Sequence, residues 1–244
     1  MDESLGEEAV MLWIVTGGIG CGKSAFAMRF AVAHGREAIR LVCPSWPSDG
    51  EPGELLKALE KSAQPCGGDD VAWTSFPADR SLADRLNRIN LQTNPFRANL
   101  KVVLLDSLSG WLRREVADVR SEESEPGGAA EREKNGADGR RDKPEESARE
   151  FRERTERLEA SLDRLVRGLL DFQGRRVVVT EQASAGLAAD PWERWFVRAL
   201  AEANRRLADR CDGMHLLVSG MALDWKGLRT KRGNADHENI YPKR

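Results

Sequence analysis

Leu12-Trp13-Ile14-Val15-Thr16-Gly17-Gly18-Ile19-Gly20-Cys21-Gly22-Lys23-Ser24 runs from an apolar segment into G-x-x-x-x-G-K-S, and Ala25-Phe26-Ala27-Met28-Arg29-Phe30 continues it with helix-forming residues. A polyphosphate needs several N–H donors converging on one concavity, and glycine lets the backbone bend closely enough to supply them. Gly17, Gly18, Gly20 and Gly22 give the loop that freedom, with Ile19 and Cys21 completing it. In this pattern Lys23 meets the β- and γ-phosphates, Ser24 binds the magnesium ion that bridges them, and the next helix adds its positive N-terminal end. The competing reading is a Gly-rich strand-to-helix turn that fits by chance, since the pattern fixes few positions. The apolar run before the match and the helical run after it favour the phosphate loop.

Working outward, short apolar runs at Met11–Thr16, Ile39–Cys43, Val71–Ser75, Lys101–Leu105, Arg176–Thr180 and Met214–Val218 predict strands. The intervening patterns predict helices at 24–34, about 54–62, 79–89, 107–117, 148–172 and 191–210. Most of the strands are too continuously apolar to be half-exposed, which predicts helices on both faces of a mostly parallel sheet. The expected fold is therefore α/β, a three-layer P-loop NTPase of the RecA-like kind. Leu158, Leu162, Leu165, Val166, Leu169 and Leu170 make one helical stripe. Trp192, Trp195, Phe196, Ala199, Leu200, Ala203 and Leu207 make another, and aromatics at that spacing read as core or subunit contact rather than a cofactor box. The whole chain, 1–244, is expected to be a single nucleotide-binding domain. It carries a flexible charged insertion at 119–149, too poor in apolar residues to repay ordering, and a polar tail at 229–244.

Composition narrows the partners. With 244 residues, 40% of them hydrophobic, the chain has ample material for a core. A net charge of -2 gives no global basic field, so nucleic acid is not indicated and an anionic ligand must be held locally. Cys21, Cys43, Cys66 and Cys211 lie far apart and form no C-x-x-C pair, which suggests neither a zinc site nor a disulfide framework. The opening Met-Asp-Glu-Ser-Leu-Gly-Glu-Glu is acidic where a secretory signal is basic. No apolar run approaches the roughly 18 residues of a membrane span. A soluble, cytoplasmic protein is expected.

In an open parallel sheet, ligands sit beyond the carboxyl ends of the strands, so the residues just after each strand are the candidates. Cys43-Pro44-Ser45-Trp46-Pro47 is a rigid turn suited to a pocket wall. Asp106 ends the apolar Val102-Val103-Leu104-Leu105 in the manner of a Walker B aspartate, which holds magnesium directly or through water. Asp106 is equally suited to cap the following helix. Val177-Val178-Val179-Thr180 leads to Glu181, either a carboxylate that orients a nucleophilic hydroxyl or one that simply faces solvent. Of the histidines, His34 reads as a cation at the end of the first helix, His215 lies in the last predicted strand and His237 in the tail; none is placed like a general base.

These motifs, in this order, resemble the bifunctional adenosylcobinamide kinase and adenosylcobinamide-phosphate guanylyltransferase family of cobalamin biosynthesis. Members carry Thr-Gly-Gly and a loop ending Ser-Gly-Lys-Ser, to which Thr16-Gly17-Gly18-Ile19-Gly20-Cys21-Gly22-Lys23-Ser24 is similar. Their Asp-Cys-Leu-Thr-x-Trp-Leu resembles Asp106-Ser107-Leu108-Ser109-Gly110-Trp111-Leu112, and their Val-Thr-Asn-Glu-Val-Gly resembles Val179-Thr180-Glu181-Gln182-Ala183-Ser184. A helix with Arg-x-x-Asn-x-x-Leu-Ala and a strand ending Val-x-Gly is matched by Ala201-Glu202-Ala203-Asn204-Arg205-Arg206-Leu207-Ala208 and Leu216-Leu217-Val218-Ser219-Gly220. The likeness covers most of the chain outside the insertion and the tails.

The resemblance implies phosphoryl transfer from ATP or GTP to the aminopropanol hydroxyl of adenosylcobinamide, then attachment of GMP to that phosphate through a covalent histidine. Lys23, Asp106 and Glu181 would be the catalytic residues, with Ser24 and Asp106 on Mg2+. It also implies a homo-oligomer; in this chain the exposed-looking Trp192 and Trp195 suit a subunit contact, and the 45–70 segment suits a lid over the site. Two departures stand out. Between Pro44 and Asp106, where the family places its acceptor histidine, this chain has none, leaving Lys57 and Lys61 as the nitrogen nucleophiles of that helix. Glu181-Gln182 in place of Asn-Glu moves the family's carboxylate by one position. The sequence thus predicts a kinase of corrinoid metabolism that phosphorylates adenosylcobinamide, with transfer of GMP to the product left open by the missing histidine. The alternatives are a non-catalytic or regulatory nucleotide-binding module and a P-loop kinase of other substrate class.

Overall fold

Strand β1 (Leu12–Gly17) is buried along its whole length. Its side chains divide strictly by parity: Leu12 and Ile14 enter one core cluster, Trp13 and Val15 the other. The same alternation splits β4 (Lys101–Asp106), with Val103 and Leu105 on the first side and Val102 and Leu104 on the second. In β5 (Arg175–Val179) Val178 faces the first cluster and Val177 and Val179 the second. Successive strand residues point to opposite faces, so an unbroken apolar run is stable only where both faces are covered. Helix α1 (Lys23–His34) covers one face, burying Ala27 and Ala31. Helices α2 (Leu82–Gln92), α3 (Leu108–Ser124), α4 (Lys143–Leu170) and α5 (Pro191–Arg210) cover the other with Leu86, Leu112, Leu165 and Leu200 among their buried residues. The three expected layers are present.

This computed structural model describes residues 11–43, 71–93, 100–124, 143–182 and 190–226. The remaining strands are β2 (Glu37–Val42), β3 (Ala72–Pro77), β6 (Gly213–Val218) and β7 (Met221–Asp224). They form a seven-stranded sheet in the order β3-β2-β4-β5-β1-β6-β7. All neighbouring pairs are parallel except β6 with β7. Strand β5 therefore lies between the strand that ends in the glycine loop and the strand that ends in Asp106, as expected of a RecA-like P-loop arrangement. Among the described residues, no helix is long and apolar enough to cross a membrane.

Several boundaries differ from the sequence expectations, each for a local reason. Helix α2 begins at Leu82 rather than 79, because the Asp79 carboxylate accepts from the Ser81 amide at 2.9 Å and its hydroxyl at 2.6 Å, holding a turn ahead of the helix. Helices α3 and α4 extend into the stretch read as the 119–149 insertion, to Ser124 and from Lys143. Val119 is buried with Val116, Leu158 and Trp192, so one apolar stripe carries polar residues into helix, and Arg149–Glu153 adds an i,i+4 pair at 2.9 Å. Helix α4 stops at Leu170, where the buried Arg176 guanidinium collects the carbonyls of Leu170, Phe172 and Gly174 at 2.9–3.1 Å. Strand β7 was not expected at all. Its two-residue turn, Ser219-Gly220, has φ of 50° and 83°, the left-handed pair that suits a tight hairpin.

Trp192 corrects a second expectation. It is 7% exposed, meets Phe151 edge-on at 4.7 Å between ring centroids, and belongs to the α3–α4–α5 core rather than to an exposed contact surface. Trp195 is half-buried and donates to Glu159 Oε1 at 3.1 Å. The expected helix at 54–62, the proposed lid at 45–70 with Lys57 and Lys61, the turn after Cys43 and the tail with His237 lie outside the described residues.

Candidate functional site

Cross-strand register brings the predicted site residues together. Val15 pairs with Val179, and Val179 with Asp106, so the ends of β1, β5 and β4 form one line and the chain leaves them at adjacent points. The glycine loop leaves β1 first. Gly17 has φ 152°, and a Cβ there would stand 2.4 Å from the Leu217 carbonyl oxygen of β6, so only glycine lets the two strands stay paired at this point. Gly20 and Gly22 take left-handed φ of 73° and 91°. Gly220 of the β6–β7 turn donates its amide to the Cys21 carbonyl at 3.1 Å, so the unexpected hairpin braces the loop. Lys23 Nζ donates to the Gly18 carbonyl at 2.6 Å, which holds the ammonium over the loop at the start of α1. Ile19 and Gly18 are exposed and Cys21 half-buried.

The Ser24 hydroxyl donates to Asp106 Oδ1 at 2.8 Å, joining residues 82 positions apart. The helix-cap reading of Asp106 does not hold: the residue that caps α3 is Ser107, whose Oγ accepts from the Gly110 amide at 3.1 Å. Asp106 is left for the loop. Its other oxygen, Oδ2, accepts from Arg40 Nη2 at 2.7 Å, with both side chains 9% exposed. A serine hydroxyl and one carboxylate are hard oxygen donors, and no cluster of three or more acidic, histidine or cysteine residues stands elsewhere among the described residues. That donor set fits magnesium, which keeps most of its shell as water and substrate phosphate and takes only one or two protein ligands. Beside it the Cys43 thiol donates to the Ser107 carbonyl at 2.8 Å; burial first, and the Asp106 charge second, push this thiol far up.

Glu181 follows β5 and is not a free solvent carboxylate. Arg113 of α3 donates to its Oε1 from Nη2 at 2.8 Å and Nε at 3.3 Å, and the same guanidinium lies over the Phe196 ring at 4.2 Å from the centroid. Asn204 of α5 fixes the backbone here: its Oδ1 accepts from the Thr180 hydroxyl at 2.8 Å and its Nδ2 donates to the Glu181 carbonyl at 3.0 Å. Gln182 reaches toward the Thr16 hydroxyl at 3.5 Å, linking this exit back to β1. Arg40, Arg113 and Asn204 were not among the sequence candidates for the site. Arg40 carried a signal, as a charge inside Ala38-Ile39-Arg40-Leu41-Val42, and Asn204 stood in the helix motif shared with the family; Arg113 had no mark in the sequence.

The histidines are elsewhere. His34 lies at the last residue of α1, its Nδ1 2.7 Å from the Phe30 carbonyl and its ring stacked on Phe30 at 4.1 Å. That is the helix-end position expected of it. His215 meets Phe26 and Phe30 edge-on at 5.3 and 4.9 Å, on the α1 face of the sheet. Burial holds its imidazole below the ordinary range.

A glycine loop, a serine hydroxyl bonded to a strand-end carboxylate, and a braced strand exit thus lie together at one end of the sheet. The family model for cobinamide kinase / cobinamide phosphate guanyltransferase matches residues 13–225. The chain belongs to that family. It thereby joins a transferase family of cobalamin biosynthesis with a P-loop nucleotide-binding fold. No curated protein matches the sequence. Among solved structures, the crystal structure of the RadB recombinase is similar over 84% of this chain and 73% of that chain, at 14% identity and a TM-score of 0.37.

Proposed function

We propose that this family member is a magnesium-dependent kinase that transfers the γ-phosphoryl group of ATP or GTP to the aminopropanol hydroxyl of adenosylcobinamide. The observation that carries the reading is the 2.8 Å contact between Ser24 and Asp106 beside Lys23. In phosphoryl transfer the protein chiefly positions the reactants and stabilises negative charge spread over the phosphoryl oxygens. Magnesium, when bound, supplies charge neutralisation across the β- and γ-phosphates. Lys23 releases Gly18 for the phosphate oxygens, and the loop amides from Gly17 to Ser24 hold the polyphosphate. Glu181, aligned by Arg113 and by Asn204, accepts the hydrogen bond of the acceptor hydroxyl and turns its lone pair toward phosphorus. The new bond joins that oxygen to the γ-phosphorus as the hydroxyl's O–H bond breaks and its proton passes to the Glu181 carboxylate. The bond to the bridging oxygen breaks, and the nucleoside diphosphate leaves. A cytoplasmic, homo-oligomeric enzyme is part of the same reading, by family likeness.

Guanylyl transfer is not included. By the family's covalent route it needs a nitrogen nucleophile at the α-phosphate. The described histidines pack among aromatic rings of α1 and β1, and no histidine stands between Pro44 and Asp106.

The test is an incubation of purified protein with Mg2+, adenosylcobinamide and ATP or GTP labelled in either the α- or the γ-phosphate. Label from the γ-position on the corrinoid, with none from the α-position, is expected. Tight nucleotide binding without transfer would instead identify a non-catalytic nucleotide-binding module. Acid-labile α-label on the protein would restore guanylyl transfer and point to Lys57 or Lys61. Lys23→Ala removes a charge-assisted contact of about 1.5–3 kcal/mol and should weaken nucleotide binding roughly 10- to 100-fold.

A further inference from the structure

Strand β2 reads Glu37-Ala38-Ile39-Arg40-Leu41-Val42 and lies inside the sheet between β3 and β4. Arg40 is the one charge in its apolar interior. Its register partner on β4 is Leu104, two residues before Asp106, and its guanidinium reaches along the strand to the Asp106 carboxylate. An arginine side chain only 9% exposed is costly to bury, and a buried ion pair is commonly no more stabilising than apolar residues of the same volume. Stability alone is therefore a weak reason for a cation at this place. The pair also divides the carboxylate: Oδ1 faces the Ser24 hydroxyl, whereas Oδ2 faces Arg40.

We propose that Arg40 is a positioning residue that makes the site reject a free divalent cation and accept one only together with the nucleotide. This rests on the reading of Ser24 and Asp106 as the magnesium position. Arg40 cancels the charge of Asp106 and Lys23 adds a further positive charge, so a bare divalent ion meets no net attraction among these three groups. A nucleoside triphosphate reverses the local sign and carries its metal in with it. Oδ2 already accepts from Arg40, so Asp106 faces the incoming ion chiefly through Oδ1, the oxygen on the Ser24 side. Arg40 acts on the metal through Asp106 and touches no reacting atom.

The experiment uses the full chain and Mn2+ as the probe, counting free ion by its paramagnetic signal, with and without a non-hydrolysable triphosphate analogue. For the unmodified protein, Mn2+ binding should be tightened by the analogue by a coupling of roughly 5- to 150-fold. Arg40→Gln keeps an N–H donor but removes the charge; it should bind Mn2+ alone about tenfold more tightly and lose most of the coupling. Arg40→Lys keeps the charge and should keep the coupling. A purely structural role for Arg40 would lower the melting temperature of both variants and leave the coupling unchanged, which overturns the proposal. Equal behaviour of the Gln and Lys variants overturns it too. Should Arg40→Gln not fold, the unmodified protein and Arg40→Lys still decide: Mn2+ binding as tight without the analogue as with it, or loss of coupling in the Lys variant, refutes the idea. If the analogue recruits no Mn2+ at all, or Asp106→Asn leaves recruitment intact, the magnesium reading of Ser24 and Asp106 has failed; intact recruitment with an unaltered Gln variant rejects Arg40 alone.

Discussion

Asn204→Ala tests whether the exit of β5 is held by one side chain. Asn204 accepts from the Thr180 hydroxyl at 2.8 Å and donates to the Glu181 carbonyl at 3.0 Å. Thr180 is only 1% exposed, so truncation leaves its hydroxyl inside the protein with no acceptor in place, while the Glu181 carbonyl sits nearer solvent. Stranding a buried hydroxyl costs about 1–3 kcal/mol, and the second lost hydrogen bond adds about 1 kcal/mol, for a total of about 2–4 kcal/mol. In a chain of this size each kcal/mol moves the melting temperature by about 2–4 °C, so a fall of roughly 4–16 °C is expected in thermal unfolding followed by circular dichroism. The cause can be isolated by adding Thr180→Val, which removes the stranded hydroxyl. In the Asn204→Ala background this second change should recover about 1 kcal/mol, whereas in the parent it should destabilise. Function should separate in the same way. The glycine loop makes no hydrogen bond to Asn204, so nucleotide affinity should hold while kcat falls with the displacement of Glu181. An unchanged melting temperature, Thr180→Val effects that are the same in both backgrounds, or a parallel loss of nucleotide affinity would each refute the reasoning.

Three further perturbations follow from the geometry. Gly17→Ala places a Cβ 2.4 Å from the Leu217 carbonyl and should cost about 1–3 kcal/mol or more by forcing β1 and β6 apart, whereas Gly18→Ala, with no neighbour within 4 Å, should leave urea unfolding nearly unchanged. Burial, reinforced by the charge of Asp106, raises the Cys43 thiol above its ordinary 9.0. The folded state therefore keeps a proton that the unfolded chain releases, so this contribution is intact below about pH 9 and declines above it, and Cys43→Ala should flatten the alkaline fall in the urea midpoint. Native Cys43 should also stay silent to a disulfide reagent at pH 8. His215 shifts the other way: burial lowers it below 6.5, so its contribution is present above that value and is lost as pH falls through the folded pKa. His215→Phe, which keeps the ring contacts with Phe26 and Phe30, should reduce the acid-side slope of stability between pH 7 and 5.

What the sequence disclosed and what it hid follow from the range of the interactions involved. The glycine loop was legible because its function rests on spacing along one stretch, Gly17 to Ser24, and the apolar runs of β1, β4 and β5 were legible because both of their faces are covered. Asp106 was legible as a strand-end carboxylate, but whether it or its neighbour Ser107 took the helix cap only the backbone geometry decides. Arg40, Arg113 and Asn204 act across 66, 68 and about 23 residues of sequence, so their partners appear only once the strand order is known. Strand β7 was missed for a different reason. Its residues are exposed, so hydrophobic patterning says little, and the informative signal was the Ser219-Gly220 turn. At the borders of the 119–149 stretch the same patterning erred toward loop, because a charged helix with a narrow buried stripe is poor in apolar residues for most of its length.

The placement of the two described histidines, His34 and His215, bears on the family's covalent route. A histidine that carries GMP must present a ring nitrogen to the α-phosphate, which the proposed nucleotide site puts at the glycine loop and the N-terminal end of α1. His34 is at the other end of that 12-residue helix, about 18 Å along its axis, with its Nδ1 engaged by the Phe30 carbonyl. His215 lies on the flank of the sheet, its ring against Phe26 and Phe30. Moving either imidazole to the α-phosphate would require undoing the α1–β1–β6 packing that supports the loop itself. The γ-phosphate faces no such obstacle. Lys23 and Ser24 at the start of α1, Asp106 at the end of β4 and Glu181 just past β5 lie where adjacent elements meet, each held by a neighbour, and the proposed transfer of the terminal phosphoryl group rests on that grouping.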